Sequence, residues 1–466
     1  MSLLELKSQF AGALIRWVVA PLWAAWERSP YLKIAQTLRR QQRRSLAERK
    51  EEQWKALKRL VEHAWSECPF YRERWGERGF EPRALEDPDS LSAVPVLTKA
   101  DVSTAGERML ARNVPRETLH ARKTSGSTGV SLRFFVDPRC AEHKRGVAVY
   151  RDEWSGWRLG EWRAMVWGNP EYVKSWRGRV RNAVLERTFY LDTLRMDERM
   201  MEGFARTVLR RRPSLLFGHA HSLYLFSRFW KENGFPPYRP RGVISTAMVL
   251  HDHERRGIAE VFGENIFDRY GCEEVSLIAS ECEAHRGLHV NTDSLIVEIL
   301  RDDGSPARPG EEGAVVVTDL WNYGMPFIRY VVGDRAVASG EACPCGRTYP
   351  LLERVAGRIA DYLVTPEGAY VSGISLTENF ATLIPGLYQA QILQDLRDHV
   401  LIRVVPKADF GEESRREIAR LIAERFGPHM RHEVEVVEKI PQEPSGKYRF
   451  AICKVASRLG RIGSPE

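Results

Sequence analysis

At 466 residues the chain is too long for one ordinary hydrophobic core, so two or more domains are expected. With 43% hydrophobic and 28% charged residues, its composition is that of a folded soluble protein and excludes a disordered one. A formal charge of +8 favours anionic partners, and seven cysteines spread over this length exclude a disulfide scaffold and suit a reducing, cytoplasmic setting.

Residues Phe10 to Trp26 are apolar but interrupted by Arg16 and Pro21, and no small-residue cleavage site follows, so no secretory signal is read. The run is shorter than the ~20 residues that span a bilayer. It reads as a helix packed on the main domain or as an interfacial helix with Trp17, Trp23 and Trp26 as anchors, which would give a peripheral membrane contact. The basic run Arg39–Arg44 reads as a solvated helix face. Trp54, Leu57, Leu60, Val61, Ala64 and Trp65 have helical spacing, broken afterwards by Pro69 and Pro82.

Lys123-Thr124-Ser125-Gly126-Ser127-Thr128-Gly129 is a loop of glycines and hydroxyls before a β-like run, Leu132 to Val136. Such a loop can surround an anion with backbone N–H groups, but it lacks the Gly-Lys-Ser/Thr of a Walker loop. Helix patterns alternate with short apolar runs over 140–235, and Val243 to Ala247 reads as a strand ending in a small-residue loop. After a further helix and Asn265–Gly271, strand signals dominate: Ser294–Leu300, Ala314–Leu320 and Pro326–Val332. The last hundred residues read as a small α+β unit. In it Val400–Val405 and Glu433–Ile440 are strands, and Ser414 to Glu417 has capping-box spacing ahead of a helix bearing Ile418, Leu421, Ile422 and Phe426. The expected division is 1–356, whose first 95 residues are helical, and 357–466.

Five stretches in this order resemble the adenylate-forming (AMP-binding) enzyme superfamily. They are Thr124–Gly129, Tyr270-Gly271-Cys272-Glu273-Glu274, Tyr330-Val331-Val332-Gly333-Asp334, Gly357-Arg358 and Pro444-Ser445-Gly446-Lys447. Pro21-Leu22-Trp23, Cys68–Arg72, Pro95–Lys99 and Cys343–Arg347 are similar to the phenylacetate–coenzyme A ligase and CapK-type capsular polysaccharide branch. The resemblance implies an α/β fold with a large N-terminal body, a β-rich flank and a small mobile α+β C-terminal domain.

It also implies a reaction in which a carboxylate attacks the α-phosphate of ATP, and the acyl group then passes to coenzyme A or to an amine, as in surface polysaccharide assembly. Two anions meet in that reaction, so cations and backbone donors are needed. By the resemblance, Thr124, Ser125, Gly126, Ser127, Thr128 and Gly129 would hold the ATP phosphates, with Thr128, Glu274 and Lys447 as catalytic residues. Glu274 would coordinate magnesium, Tyr270 beside Gly271 would stack on adenine, and Asp334 would accept the ribose hydroxyls. Arg358 would contact the ribose or α-phosphate, Lys447 would neutralise the reacting anions, and Thr246 would line the adenine or acyl pocket. Trp167, Phe217 and Phe327 are candidates for the acyl pocket or for plain core. Two departures stand out: no lysine follows the Gly-rich loop, and Ala360 stands where the hinge usually carries Asp or Lys.

Cys282, His285, His289, Cys343 and Cys345 offer thiolates and imidazoles from two segments, enough for a closed Cys₃His zinc site. The resemblance of Gly287-Leu288-His289 to the branch's Gly-Leu-His favours His289 over His285. A nucleotide-binding protein without complete ligase activity and a basic membrane-associated interaction protein are the competing classes, and a second copy of the chain is a further candidate partner. No motif reads DNA or RNA, so no nucleic-acid partner is expected.

Overall fold

The computed structural model describes residues 10–123, 132–167, 175–193, 198–358, 362–367, 370–372, 376, 380, 383–441 and 449–455. The first long helix, Leu46–Glu67, starts at Ser45, whose hydroxyl accepts from the Glu48 N–H at 3.2 Å while the Glu48 carboxylate accepts from the Ser45 N–H at 2.8 Å. Leu57, Leu60, Val61 and Ala64 form its buried stripe, and Pro69 opens the next helix, Pro69–Glu77. A hairpin of β1 (His120–Lys123) and β2 (Arg133–Val136) then carries the Gly-rich stretch between its strands.

Five parallel strands come next: β3 (Arg163–Val166), β4 (Thr188–Leu191), β5 (Leu215–His219), β6 (Gly242–Thr246) and β7 (Ile266–Cys272). The residues of β5 and β6 are buried throughout, as expected of central parallel strands covered on both faces. The sheet continues antiparallel through β8 (Ser276–Glu281), β9 (Leu288–Val290), β10 (Leu295–Leu300), β11 (Glu312–Asp319), β12 (Tyr330–Ala338) and β13 (Leu351–Arg358). The eleven strands lie in the order β10-β11-β12-β13-β9-β8-β7-β6-β5-β3-β4.

After a two-stranded pair, β14 (Tyr362–Val364) and β15 (Tyr370–Ser372), a separate four-stranded sheet forms from β16 (Leu387–Leu396), β17 (His399–Pro406), β18 (Arg431–Val436) and β19 (Ala451–Cys453). The helix Glu412–Phe426 buries Ile418, Leu421, Ile422 and Phe426 in a core with Ile392, Val400, Ile402 and Val404. The α/β class read from the sequence is the observed one.

Three local expectations shift. The strand expected from Pro326 begins only at Tyr330, because proline brings no N–H to the ladder and Arg329 adopts φ +49°. Ser414 is not the N-cap of its helix: its hydroxyl accepts from the Gly411 N–H at 3.0 Å, one turn inside. The strand expected over Glu433–Ile440 ends at Val436, where its parallel pairing with β17 stops.

Asp268 on β7 has a pH consequence. Enclosure, and then the Glu281 charge beside it, push its carboxyl up to about 7 against the opposing pull of Arg255. The folded state therefore holds this proton more tightly than the unfolded chain. The associated stability is complete below the unfolded value of ~3.9 and is lost as pH rises through about 7. Asp268→Asn keeps an acceptor for the Arg269 N–H, which Asp268 receives at 2.9 Å. It is expected to stabilise the protein by roughly 2 kcal/mol at pH 8 and to change little near pH 4. Melting curves at the two pH values check this, and an equal effect at both would refute it.

Candidate functional site

Open parallel sheets bind ligands beyond the carboxyl ends of their strands, where the direction of chain progression reverses. Here the reversal falls between β3 and β5. Trp167, immediately after β3, lies with its ring 4.1 Å from that of His219 at the end of β5. His219 is in register with Thr246 at the end of β6, and Thr246 with Arg269 on β7. The Thr246 hydroxyl donates to the Arg269 carbonyl at 3.0 Å.

From this edge the chain turns through a bulge at Tyr270/Gly271. A Cβ on Gly271 would meet the Ser276 carbonyl oxygen inside contact distance, so only glycine fits. The Tyr270 hydroxyl donates to Asp334 Oδ2 at 2.8 Å, and both residues are buried. Asp334 follows Gly333, at φ +90°, and is paired across the β12–β13 ladder with Arg358. The Tyr330 hydroxyl donates to Glu274 Oε1 at 2.9 Å. Burial first and the Glu274 carboxylate second push the Tyr330 phenol far up, so it stays a donor. Lys144 lies between two groups, donating to the Glu274 carbonyl at 3.2 Å and pairing with Asp319 at 2.9 Å. Burial would lower its pKa, and Asp319 more than reverses that, which fixes a buried cation beside Glu274.

Tyr270, Gly271, Glu274, Asp334 and the backbone of Arg358 are thus brought together, with Thr246 on the neighbouring strand end. Thr124, Ser125, Gly126, Ser127, Thr128, Gly129, Ala360 and Lys447 lie outside the described residues. Sequence reasoning assigned no role to Tyr330, Lys144 or His219. Tyr330 sat inside a quoted motif, His219 followed an apolar run ending in Gly218, and Lys144 was one basic residue among many. The three candidate pocket aromatics do not share one wall. Trp167 and Phe217 are neighbours at 5.8 Å, whereas Phe327 packs on Phe134 and Tyr330 in a different core.

A second cluster joins Cys282 after β8, His289 on β9, and Cys343 and Cys345 before β13. One donor atom from each lies within 4.8 Å of the others. The Cys282–Cys343 Sγ separation is 3.6 Å, and His289 Nε2 lies 3.3 Å from Cys282 Sγ and 3.4 Å from Cys345 Sγ. These spacings approach the ~3.5–3.8 Å edges of a tetrahedron with zinc–ligand bonds near ~2.0–2.3 Å. His289 Nδ1 faces the Tyr349 carbonyl at 3.4 Å, which turns Nε2 toward the thiols. The Ala284 and Arg347 N–H groups each point at a sulfur, at 3.4 Å. Burial, helped by Arg151, pushes His289 down to about 4, leaving a neutral imidazole. The residues fit a zinc ion. His285 instead lies against Glu281 and Phe267.

Comparison with known proteins adds four findings. Residues 363–454 match the CapK C-terminal domain. Over 372 residues the chain is 21% identical to protein CapK of Staphylococcus aureus, covering 78% of this chain and 81% of that one. Over 358 residues it is 26% identical to a phenylacetate-coenzyme A ligase of Thermus thermophilus, covering 71% and 73%. Among solved structures, a 2-hydroxyisobutyryl-CoA ligase in the postadenylation state, in complex with R3-HIB-AMP, superposes with a TM-score of 0.71 at 21% identity, over 89% of this chain and 92% of that one. The chain therefore shares its fold with this acyl-CoA ligase and is similar along most of its length to phenylacetate-coenzyme A ligase and protein CapK.

Proposed function

We propose that the protein is an ATP-dependent ligase that activates a carboxylic acid as its acyl-adenylate and passes the acyl group to coenzyme A or to an amine. The observation that carries this reading is the convergence of Tyr270, Glu274, Asp334 and the Arg358 backbone beside the carboxyl edge of the parallel strands. In the first step the acid's oxygen attacks the α-phosphorus, and pyrophosphate leaves. In the second, a thiol or amine attacks the acyl carbon, and AMP leaves.

Asp334, an acceptor held in place by Tyr270, would take the ribose hydroxyls. Glu274, oriented by Tyr330, supplies the one carboxylate that suits magnesium beside phosphate oxygens. Magnesium, when bound, would offset phosphate charge. The Thr124–Gly129 loop would hold the phosphates, and Lys447 would approach the reacting anions. His219 and Trp167, at the strand reversal, would border the acyl group. The zinc quartet would tie β8 and β9 to the segment leading into β13. None of the seven cysteines forms a disulfide, which suits a reducing cytoplasm.

The deciding experiment is ATP–pyrophosphate exchange across a panel of carboxylic acids, followed by acyl transfer to coenzyme A and to amines such as amino sugars. ATP binding without exchange for any acid would leave a nucleotide-binding protein in its place.

Residues 357–466 would act as the small domain that swings between the two steps about 358–361. Alanine at 360 can make the backbone rotation but lacks a charge to favour one orientation. Ala360→Pro fixes φ near −65° and removes an N–H. It is expected to spare one half-reaction and slow the other by about tenfold or more. Rapid-quench measurement of the two steps checks this, and small equal effects on both would argue for a fixed domain.

A further inference from the structure

Two adjoining helical segments turn apolar side chains outward. Between Phe10 and Trp26, the exposed residues Phe10, Leu14, Trp17, Val18 and Leu22 recur at helical spacing. Trp17 is 74% exposed and Trp26 76%. The opposite side of the same segment, through Ile15, Ala20, Trp23 and Ala24, packs into the core with Leu185. Arg16, the one charge in the stretch, is turned inward, donating to the Leu159 carbonyl at 3.2 Å and facing Glu161 at 3.8 Å. The neighbouring segment, 176–186, repeats the pattern: Trp176, Val180 and Val184 are exposed one helical turn apart, with Trp176 at 65%. An Arg181–Glu27 ion pair at 3.1 Å joins the two segments.

Scattered exposed apolar residues are ordinary, but three exposed tryptophans with aliphatic neighbours in two adjoining stripes mark an interaction surface. Its charge names the partner. Arg28, Arg177 and Arg179 are exposed around the stripes and form no ion pair with a described residue. The nearby acids are neutralised, Glu27 by Arg145 and Arg181, and Glu186 by Arg181. A twofold contact between copies would bring these arginines toward one another, whereas an anionic surface would attract all of them.

The apolar run 10–26, interrupted by Arg16, extends about 25 Å as a helix, short of the ~30 Å hydrocarbon core. No helix among the described residues is long and apolar enough to cross a membrane. We infer that these two helices form an in-plane docking surface for an anionic lipid bilayer, with Trp17, Trp26 and Trp176 at the headgroup level and the arginines on lipid phosphates. This surface is independent of the ligase reading.

The test is cosedimentation of the full chain with vesicles of phosphatidylcholine alone or with one third phosphatidylglycerol, alongside tryptophan emission. Stronger binding to the anionic vesicles with a blue shift is expected. Trp17→Gln/Leu22→Gln/Trp176→Gln should weaken partitioning about tenfold or more. Arg177→Glu/Arg179→Glu should abolish the preference for anionic lipid. Because every substituted side chain is exposed, melting temperature should be preserved, and so should pyrophosphate exchange if the ligase reading holds. Absence of partitioning, or equal partitioning of wild type and the apolar variant, would overturn the inference. So would a dimer in solution that Trp17→Gln dissociates, since the surface would then serve a second copy.

Discussion

Lys447→Ala is expected to slow adenylate formation by about a hundredfold to a thousandfold or more, while nucleotide affinity changes far less. The reaction brings a carboxylate against a triphosphate, and the charge to be stabilised grows on the α-phosphate only as the new bond forms. A positioned cation removed from such a centre costs ~3–4 kcal/mol of transition-state stabilisation. Lys144, the buried cation near Glu274, is already engaged by Asp319 at 2.9 Å, so it is no ready substitute. The assignment rests on Pro444-Ser445-Gly446-Lys447 standing in the chain between β18 and β19 of the small α+β unit, as the resemblance implies. Pyrophosphate exchange with a true substrate measures the effect, and a wild-type rate in the variant would remove Lys447 from the mechanism.

The second large effect concerns stability. The purified protein is expected to carry about one zinc ion per chain, and Cys343→Ser/Cys345→Ser is expected to lose it and melt several degrees lower. Structural zinc in small peptides contributes apparent binding energies of ~10–16 kcal/mol, because the ligands are otherwise unconstrained. Here the strands already hold the four side chains together, so a smaller share, at least about 3 kcal/mol, is at stake. The consequence should reach the site: the Cys343–Cys345 segment leads into β13, and β13 holds Arg358 opposite Asp334. Metal analysis and melting with and without a chelator decide this. Metal-free protein of unchanged stability would eliminate zinc.

Much of the architecture was legible because its signals are local. Leu57, Leu60, Val61 and Ala64 repeat at helical spacing whatever surrounds them, and Val243-Ile244 leads a short β-like run that ends in the small residues Ser245 to Ala247. Boundaries were less legible. The strand expected from Pro326 was displaced because Phe327 and Ile328 turn their side chains into the core ahead of the regular ladder, a choice made by packing. The helix start near Ser414 moved because Gly411 took the cap and left the serine one turn inside.

The candidate site divides in the same way. Tyr270, Glu274, Asp334 and Arg358 stood out because short motifs preserve residue order and spacing, which a sequence displays directly. Tyr330 became visible as the partner of Glu274, Lys144 as a buried cation and His219 as a strand-end residue only in three dimensions. Each depends on contacts between segments from about fifty to well over a hundred residues apart, or on which strand lies beside which. The resemblance of Gly287-Leu288-His289 favoured His289 over His285 from the sequence; in three dimensions both imidazoles follow Cys282 closely, and it is the one on β9 that faces it. The sequence by itself determined the resemblance to adenylate-forming ligases, the α/β class and the chemistry on offer, because these rest on residue type, order and local period. Only the tertiary structure decided which charges are paired, which apolar stripes stay exposed and which side chains share a site, because those depend on long-range packing that no local pattern encodes.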